Sequence, residues 1–499
     1  MSLWRNVSKS LAVSAASAVL AACSVAPAYD PPEPALPAAF GEAGPPVDAA
    51  AWKPAEPSDA LARGEWWTIF GDEQLNALEE EAAKANQTLK AALGRLGQAR
   101  ALAGVAAADR APQIEVGAGP TRLRPSPASL GLPADADTRP QTLWRAEVGA
   151  SYEVDLFGRV ANAVTAADAD AQQAEALQHS LLLAIQADVA GHYLLLRWLD
   201  AEIGLLDDTV KLREAAVDLV ERRTRAGETD DLDLERARTE LSVARADSIA
   251  LSRLRADTEH ALAVLVGRAP SELRIAPRPI VFRPIAIPVG LPSSLLERRP
   301  DIAAAERAMA AANARIGVAR SAYFPRLTLT GLLGFESNDF GDLLRSSSRT
   351  WAVGPLVGTM LSMTVFDGGR RRAIEAGAAA AYDETVANYR QTVLVALREV
   401  EDGLSALRLL AEQSREQARA VEAASRAAEL SRVRYRAGLV SYFEVIDAER
   451  QVLAAQRASL QSDRERALAT VDLVRAIGGH WEPAALASSS EDARMAGGG

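Results

Sequence analysis

Polar and apolar residues alternate without a break from Trp144 to Leu156. Trp144, Ala146, Val148, Ala150, Tyr152, Val154 and Leu156 fall on one face of an extended chain, and Arg145, Glu147, Gly149, Ser151, Glu153 and Asp155 on the other. A period of two predicts a strand that is wet on one side only. Ile114, Val116 and Ala118 alternate in the same way with Gln113, Glu115 and Gly117. Leu327, Leu329, Gly331, Leu333 and Phe335 alternate with Arg326, Thr328, Thr330, Leu332, Gly334 and Glu336. The segment from Trp351 to Phe366 is a weaker fourth strand, with Trp351, Val353, Val357, Leu361 and Val365 on one side.

Elsewhere the period changes to that of a helix. Residues 159–225 contain no proline, and a continuous helix over that span would be roughly 100 Å long. Leu181, Ile185, Asp188, Val189 and His192 keep helical spacing, as do Leu430, Val433 and Ala437, then Val445, Val452 and Leu460. Small and apolar positions separated by Glu and Arg predict antiparallel coiled-coil hairpins. The pattern also occurs twice. Arg223-Thr224-Arg225-Ala226-Gly227 matches Arg434-Tyr435-Arg436-Ala437-Gly438 at an offset of 211, and Gly158-Arg159 and Gly267 recur as Gly369-Arg370 and Gly478. Each half reads as a helix (about 72–108, then about 299–322), two strands, a very long helix, a turn and a second long helix.

Strands wet on one face and apolar on the other suit a membrane barrel, whose strands run about 9–11 residues. Four strands cannot close, and an open edge is not tolerated in lipid. Three copies would supply twelve strands, so the pattern predicts a trimer sharing one barrel, with 125–141 and 337–349 as surface loops. The expected fold is an α+β membrane protein. It has a trimeric 12-stranded transmembrane β-barrel (4 strands per subunit), α-helical coiled-coil hairpins and two internal repeats.

The first residues alter this picture. Arg5 and Lys9 precede an apolar stretch from Leu11 to Ala22, the pattern of a secretory signal. Leu20-Ala21-Ala22-Cys23 resembles the lipobox of bacterial lipoproteins, which implies lipidation of Cys23 and, with Ser24 next, sorting to the outer membrane. Residues 24–60 are rich in Pro, Ala and Gly and read as an extended tether. The chain thus divides into a signal peptide (1–22), a lipidated Pro-rich tether (23–60), a first repeat (61–269), a Pro-rich crossing (270–298), a second repeat (299–480) and a mobile tail (481–499). Cys23 is the only cysteine, so no internal disulfide exists. The net charge of -11 becomes -13 once Arg5 and Lys9 are removed, which disfavours nucleic acid as a partner. His179, His192, His260 and His480 show no metal-ligand spacing.

Leu296-Glu297-Arg298-Arg299-Pro300-Asp301-Ile302, then Ala305-Glu306, Ile316-Gly317-Val318-Ala319 and Phe324-Pro325, resembles the hallmark segment of the outer-membrane efflux lipoproteins, the NodT branch of the TolC-type channels. Trp66-Trp67 with Phe70, and Asn86 to Ala91, is similar to their N-terminal signature. Gly71-Asp72-Glu73 and Tyr323-Phe324 depart from the usual pattern.

The resemblance implies a passive homotrimeric conduit in outer-membrane lipid, its 12-stranded barrel continued by a periplasmic α-helical coiled-coil barrel and joined by a periplasmic adaptor protein to an inner-membrane pump. It places an apolar ring at Phe443 and an acidic ring at Asp447 as the channel constriction. It places adaptor docking at the tips, Gly227, Glu228, Gly438, Leu439 and Ser441. Arg450, one turn away, and Arg236, the repeat counterpart of Asp447, are expected to balance the acidic ring. No P-loop, Gly-x-Ser-x-Gly or His-Glu-x-x-His motif occurs, so no catalytic residue, cofactor or metal is expected. The alternatives are a periplasm-spanning structural lipoprotein without an open channel and the outer channel of a protein secretion system; an enzyme is a distant third.

Overall fold

The computed structural model describes residues 25–32, 36–37, 39–42, 64–278, 295, 298–354 and 361–479. The signal, Cys23, much of the tether, most of the Pro-rich crossing, His480 and the tail lie outside them. Contacts divide the chain into two compact units. One comprises Met1–Glu33, Arg95–Ala174 and Ala304–Tyr389, the other Pro34–Gly94, Glu175–Ala303 and Arg390–Gly499.

Helix α1 spans Glu73–Ala85 and α2 spans Gln87–Ala108. The sequence predicts one helix here, and Asn86 divides it. Its backbone is non-helical (φ -57, ψ 125), its side-chain oxygen accepts the Leu89 amide at 3.0 Å, and its amide donates to the Leu265 carbonyl at 2.7 Å. An asparagine that can serve as an N-cap competes with the helix that would bury it. Helix α3, Arg159–Arg225, is continuous over 67 residues, and α4 covers Asp231–Leu265. Helix α5 covers Pro300–Ser321. Helices α6, Arg370–Arg436, and α7, Tyr442–Ala476, repeat the 67- and 35-residue lengths of α3 and α4.

The first unit contains an antiparallel sheet of β1 (Gln113–Leu123), β2 (Gln141–Val154), β3 (Arg326–Ser337), β4 (Arg349–Val353) and β5 (Leu361–Ser362). The order is β1-β2-β3-β4, with β5 pairing further along β3. Val116 lies opposite Val148, Val148 opposite Leu333, and Leu333 opposite Trp351. Directly opposed residues share a face, so the ladder puts the apolar set of every strand on one side. That side is bare: Val116 is 80% exposed, Val148 44%, Leu333 65% and Trp351 73%. On the other side Arg145 pairs with Glu336 at 2.7 Å. Two boundaries differ from the sequence pattern. β2 stops at Val154 and the Leu156 amide turns back to the Val154 carbonyl at 2.9 Å. The fourth strand appears as two described pieces, β4 and β5, on one partner.

The visible part of the tether is docked. Pro27 accepts the Asn313 side-chain amide at 3.0 Å, and the Tyr29 hydroxyl donates to the Glu306 carbonyl at 3.1 Å and its carboxylate at 2.5 Å. Burial, first of all, pushes the Tyr29 hydroxyl up to about 12, so it stays a donor. Gly317 makes room: a Cβ there would lie 2.6 Å from the Ala26 Cβ. The hallmark glycine is therefore a seat for the tether.

The second unit holds the main core, with Trp66, Trp67, Leu75, Leu78, Val189, Tyr193, Leu262, Val471 and Val474 buried together. Arg299 of the hallmark segment is buried beside it. Its guanidinium grips Asp301 at 3.0 and 2.6 Å, Glu399 at 2.7 Å and the Ala476 carbonyl at 2.9 Å. Burial alone would lower its pKa, but Asp301 and Glu399 outweigh that and hold it above the usual value. Arg299 thus joins α5, α6 and the end of α7 through two carboxylates that remain partly exposed.

Candidate functional site: the paired helical tips

Each long helix ends at a glycine with positive φ, 77° at Gly227 and 74° at Gly438. The Gly227 amide bonds the Thr224 carbonyl at 2.9 Å and the Glu228 amide the Arg223 carbonyl at 2.9 Å. Gly438 and Leu439 repeat this on Tyr435 and Arg434 at 2.9 and 3.0 Å. This is the Schellman closure of a helix end, which a side chain at the glycine would strain. The two tips differ beyond it. Asp230 caps α4 through the Leu232 amide at 3.4 Å, and the Thr224 and Thr229 hydroxyls meet at 3.0 Å. Ser441 makes no side-chain cap, and Leu439 is 70% exposed.

The tips pack together inside the second unit. Val220, Leu234, Ala237, Tyr442, Val445 and Ile446 form one buried cluster with Tyr435 against it. The Tyr435 and Tyr442 rings lie 5.4 Å apart, and Arg223 sits over Tyr435 at 5.1 Å. Burial pushes the Tyr442 hydroxyl up to about 12.

Just behind the cluster stands a charged hub. Arg213 and Glu240 are buried and ion-paired, and Arg213 also bonds the Glu240 carbonyl at 2.7 Å. Arg450 pairs with the second Glu240 oxygen. Burial would raise the Glu240 carboxyl, but Arg450 and Arg213 outweigh it and hold it below the ordinary carboxylate range. Sequence reasoning missed this hub. A signal existed: at the repeat offset the counterparts of Arg213 and Glu240 are Ala424 and Gln451, so the pair breaks the repeat.

Phe443 and Asp447 lie one turn apart on an exposed face of α7, as their spacing predicts. Phe443 is 49% exposed, and the Arg236 guanidinium of α4 lies 5.5 Å from its ring centroid. Asp447 accepts from Gln451 at 3.1 Å. The expected arginines are engaged elsewhere within the chain, Arg450 with Glu240 and Arg236 with Asp233 at 3.5 Å. Leu430 and Val433, read as seam positions, are exposed. Gly227, Glu228, Gly438, Leu439 and Ser441 all lie at the two helix connections. Among the described residues no group of three His, Cys, Asp or Glu is disposed to hold a metal ion, and no helix is long and apolar enough to cross a membrane.

Comparison with known sequences decides the assignment. Residues 78–268 and 291–479 match the family described as "Outer membrane efflux protein". The chain belongs to that family. Outer membrane protein OprJ of Pseudomonas aeruginosa is 34% identical over 470 residues, 93% of this chain and 94% of that protein. The toluene efflux pump outer membrane protein TtgF of Pseudomonas putida is 32% identical over 472 residues, 94% of this chain and 96% of that one. The solved outer-membrane channel OprN superposes with a TM-score of 0.82 at 32% identity, covering 92% of this chain and all of that one. This outer membrane efflux protein is thus an α+β protein of the outer membrane.

The hub makes the tips of this efflux protein acid-sensitive. Because Glu240 is depressed in the folded state, its contribution is complete above the ordinary glutamate value of about 4.3 and is lost as pH falls through the folded value. The difference in urea midpoint between wild type and Glu240→Gln should be full at about pH 7 and should narrow steadily as the pH is lowered below about 4.3. A gap that stays equal as the pH falls would show that the pairing is not what stabilises the tips.

Proposed function

We propose that the chain is one of three subunits of a passive outer-membrane conduit in a tripartite efflux pump. Twelve strands, four from each copy, close a barrel through the membrane. The helical hairpins continue it as a periplasmic tunnel. A periplasmic adaptor docks at Gly227, Glu228, Gly438, Leu439 and Ser441, and an inner-membrane pump supplies the energy and selects the cargo. The observation that carries this reading is the row Val116–Val148–Leu333–Trp351, apolar, exposed and opposed by a charged face. A patch of that kind needs lipid or a partner. Strands with unpaired outer edges need neighbours before lipid can surround them. The family match and the likeness to solved outer-membrane channels support the same conclusion.

Cys23 carries the lipid that holds each subunit in place from its N-terminus. Mass spectrometry of the mature N-terminus should find a diacylglyceryl cysteine, absent in Cys23→Ser; a bare thiol in wild type rejects the anchor.

The barrel wall is tested by substitution on its two faces. Val148→Arg sets a charge against lipid and should cost about 2–4 kcal/mol near the midplane, reducing the folded trimer recovered from outer membranes. Glu147→Gln, on the wet face, should leave recovery near wild type. Equal losses from the two would count against a lipid-facing wall.

Phe443 and Asp447 form stacked apolar and acidic rings at the narrow end of the tunnel. Hydrophobic constrictions close by dewetting, and three facing carboxylates favour cations. Arg450 and Arg236 are ion-paired within the chain, to Glu240 and Asp233. Phe443→Ala with Asp447→Ala should raise single-channel conductance in planar bilayers and weaken cation preference, whereas Glu416→Ala should do neither. Unchanged conductance in an assembled double variant places the constriction elsewhere.

A further inference from the structure

At the foot of the sheet, within the first unit, the chain leaves an open cavity of about 580 Å3. Its walls come from the end of β2, the C-terminal end of α5, the start of β3, and the N-termini of the two 67-residue helices α3 and α6. Arg326 and Ser362, which line it, oppose each other across the β3–β5 ladder on the polar side of the sheet.

Three carboxylates face the cavity and all are engaged. Both Glu153 oxygens receive Arg159, at 2.7 and 2.9 Å. Asp155 accepts the Ala161 amide at 2.7 Å. Asp367 accepts the Gly369 amide at 3.0 Å, the Arg371 amide at 3.1 Å and its Nε at 2.8 Å. The cations are in excess. Arg326 comes only to 3.9 Å from a Glu153 oxygen that Arg159 already holds. Arg370 is exposed and has no ion-pair partner among the described residues. Asp155 and Asp367 already offset the positive ends of α3 and α6 by accepting their first amides, so the surplus lies with the guanidinium groups of Arg326 and Arg370. The cavity also has an apolar wall, Phe157 and Phe324, stacked with centroids 4.6 Å apart.

We propose that this cavity binds aromatic organic anions, with Arg326 and Arg370 holding the oxyanion and the Phe157–Phe324 stack carrying the ring. Guanidinium groups match carboxylate, sulfonate and phosphate oxygens with paired donors. A stacked aromatic pair offers a flat apolar surface beside them. The volume lies within the range that holds a small organic molecule. The inference deepens the conduit reading and rests on it: the polar face of the sheet is then the lumen, and the cavity is a station that anionic cargo meets on entering the barrel.

Equilibrium dialysis of naphthalene disulfonate against the purified full-length protein in neutral detergent tests this. Wild type should bind it saturably. Arg326→Gln with Arg370→Gln should weaken binding by about tenfold or more, the loss expected when charge-assisted hydrogen bonds are removed. Phe324→Leu should weaken it less, and Arg419→Gln, on an exposed helix face, should not. Binding that survives the double arginine substitution, or is absent from wild type, overturns the proposal. Adding phosphatidylglycerol to the micelles separates the two sources of oxyanion. Displacement by the lipid at concentrations where soluble benzenesulfonate has no effect makes the cavity a headgroup seat and overturns the cargo assignment. Conductance of the same preparations keeps the two readings apart. A channel that conducts without binding defeats this inference alone, and one that binds without conducting defeats the conduit.

Discussion

A sheet whose apolar face is left largely exposed is stable only where that face leaves water. Val116, Val148, Leu333 and Trp351 form such a face, and the strands behind them are long and regular. Burial of apolar area is worth about 25 cal/mol per Å2, and here the chain leaves it unclaimed. Much else in the structure is arranged around that deficit. The helices bury their own seams in the second unit, where Trp66, Tyr193, Leu262 and Val474 close a core. In the proposed trimer the sheet draws its stabilisation from lipid and from neighbouring copies.

The charged residues divide into two kinds of work. Arg299 and the Arg213–Glu240 pair are buried and bind helices to one another; their value depends on complete satisfaction, because a lone buried charge is far costlier than no charge. The surface pairs along α3 and α6, such as Arg222–Asp218 and Arg419–Glu416, contribute little stability one by one. What they supply is a wettable helix surface between apolar positions.

Most of the element plan was legible in the sequence because it is written in periods. Period two located strands within a few residues, and the Gly158-Arg159 and Arg225-Ala226-Gly227 motifs marked the ends of a proline-free α3. Turn glycines marked both tips, since only a residue free to take positive φ closes a helix in that way. What periodicity cannot carry is partner choice. Nothing in the spacing of Arg213, Glu240 and Arg450 says that they meet, and Arg450 was assigned to Asp447 on proximity along one helix. The break at Asn86 was likewise invisible: the residue is polar within a helical pattern, and its role depends on the Leu265 carbonyl, 179 positions away. Arg299 was recognised as part of a family hallmark without a physical reason. The structure supplies one in the carbonyl of Ala476, left open at the end of α7.

The seat of the N-terminal segment on α5 has a consequence for scale. A segment rich in proline invites the image of a long leash. Yet Pro27 is pinned by Asn313 and Tyr29 by Glu306, only four and six residues beyond Cys23. From Pro27 to Tyr29 the segment is thus a strap laid on α5, its path set by two side chains of that helix, Asn313 and Glu306, 286 and 277 positions further along the chain.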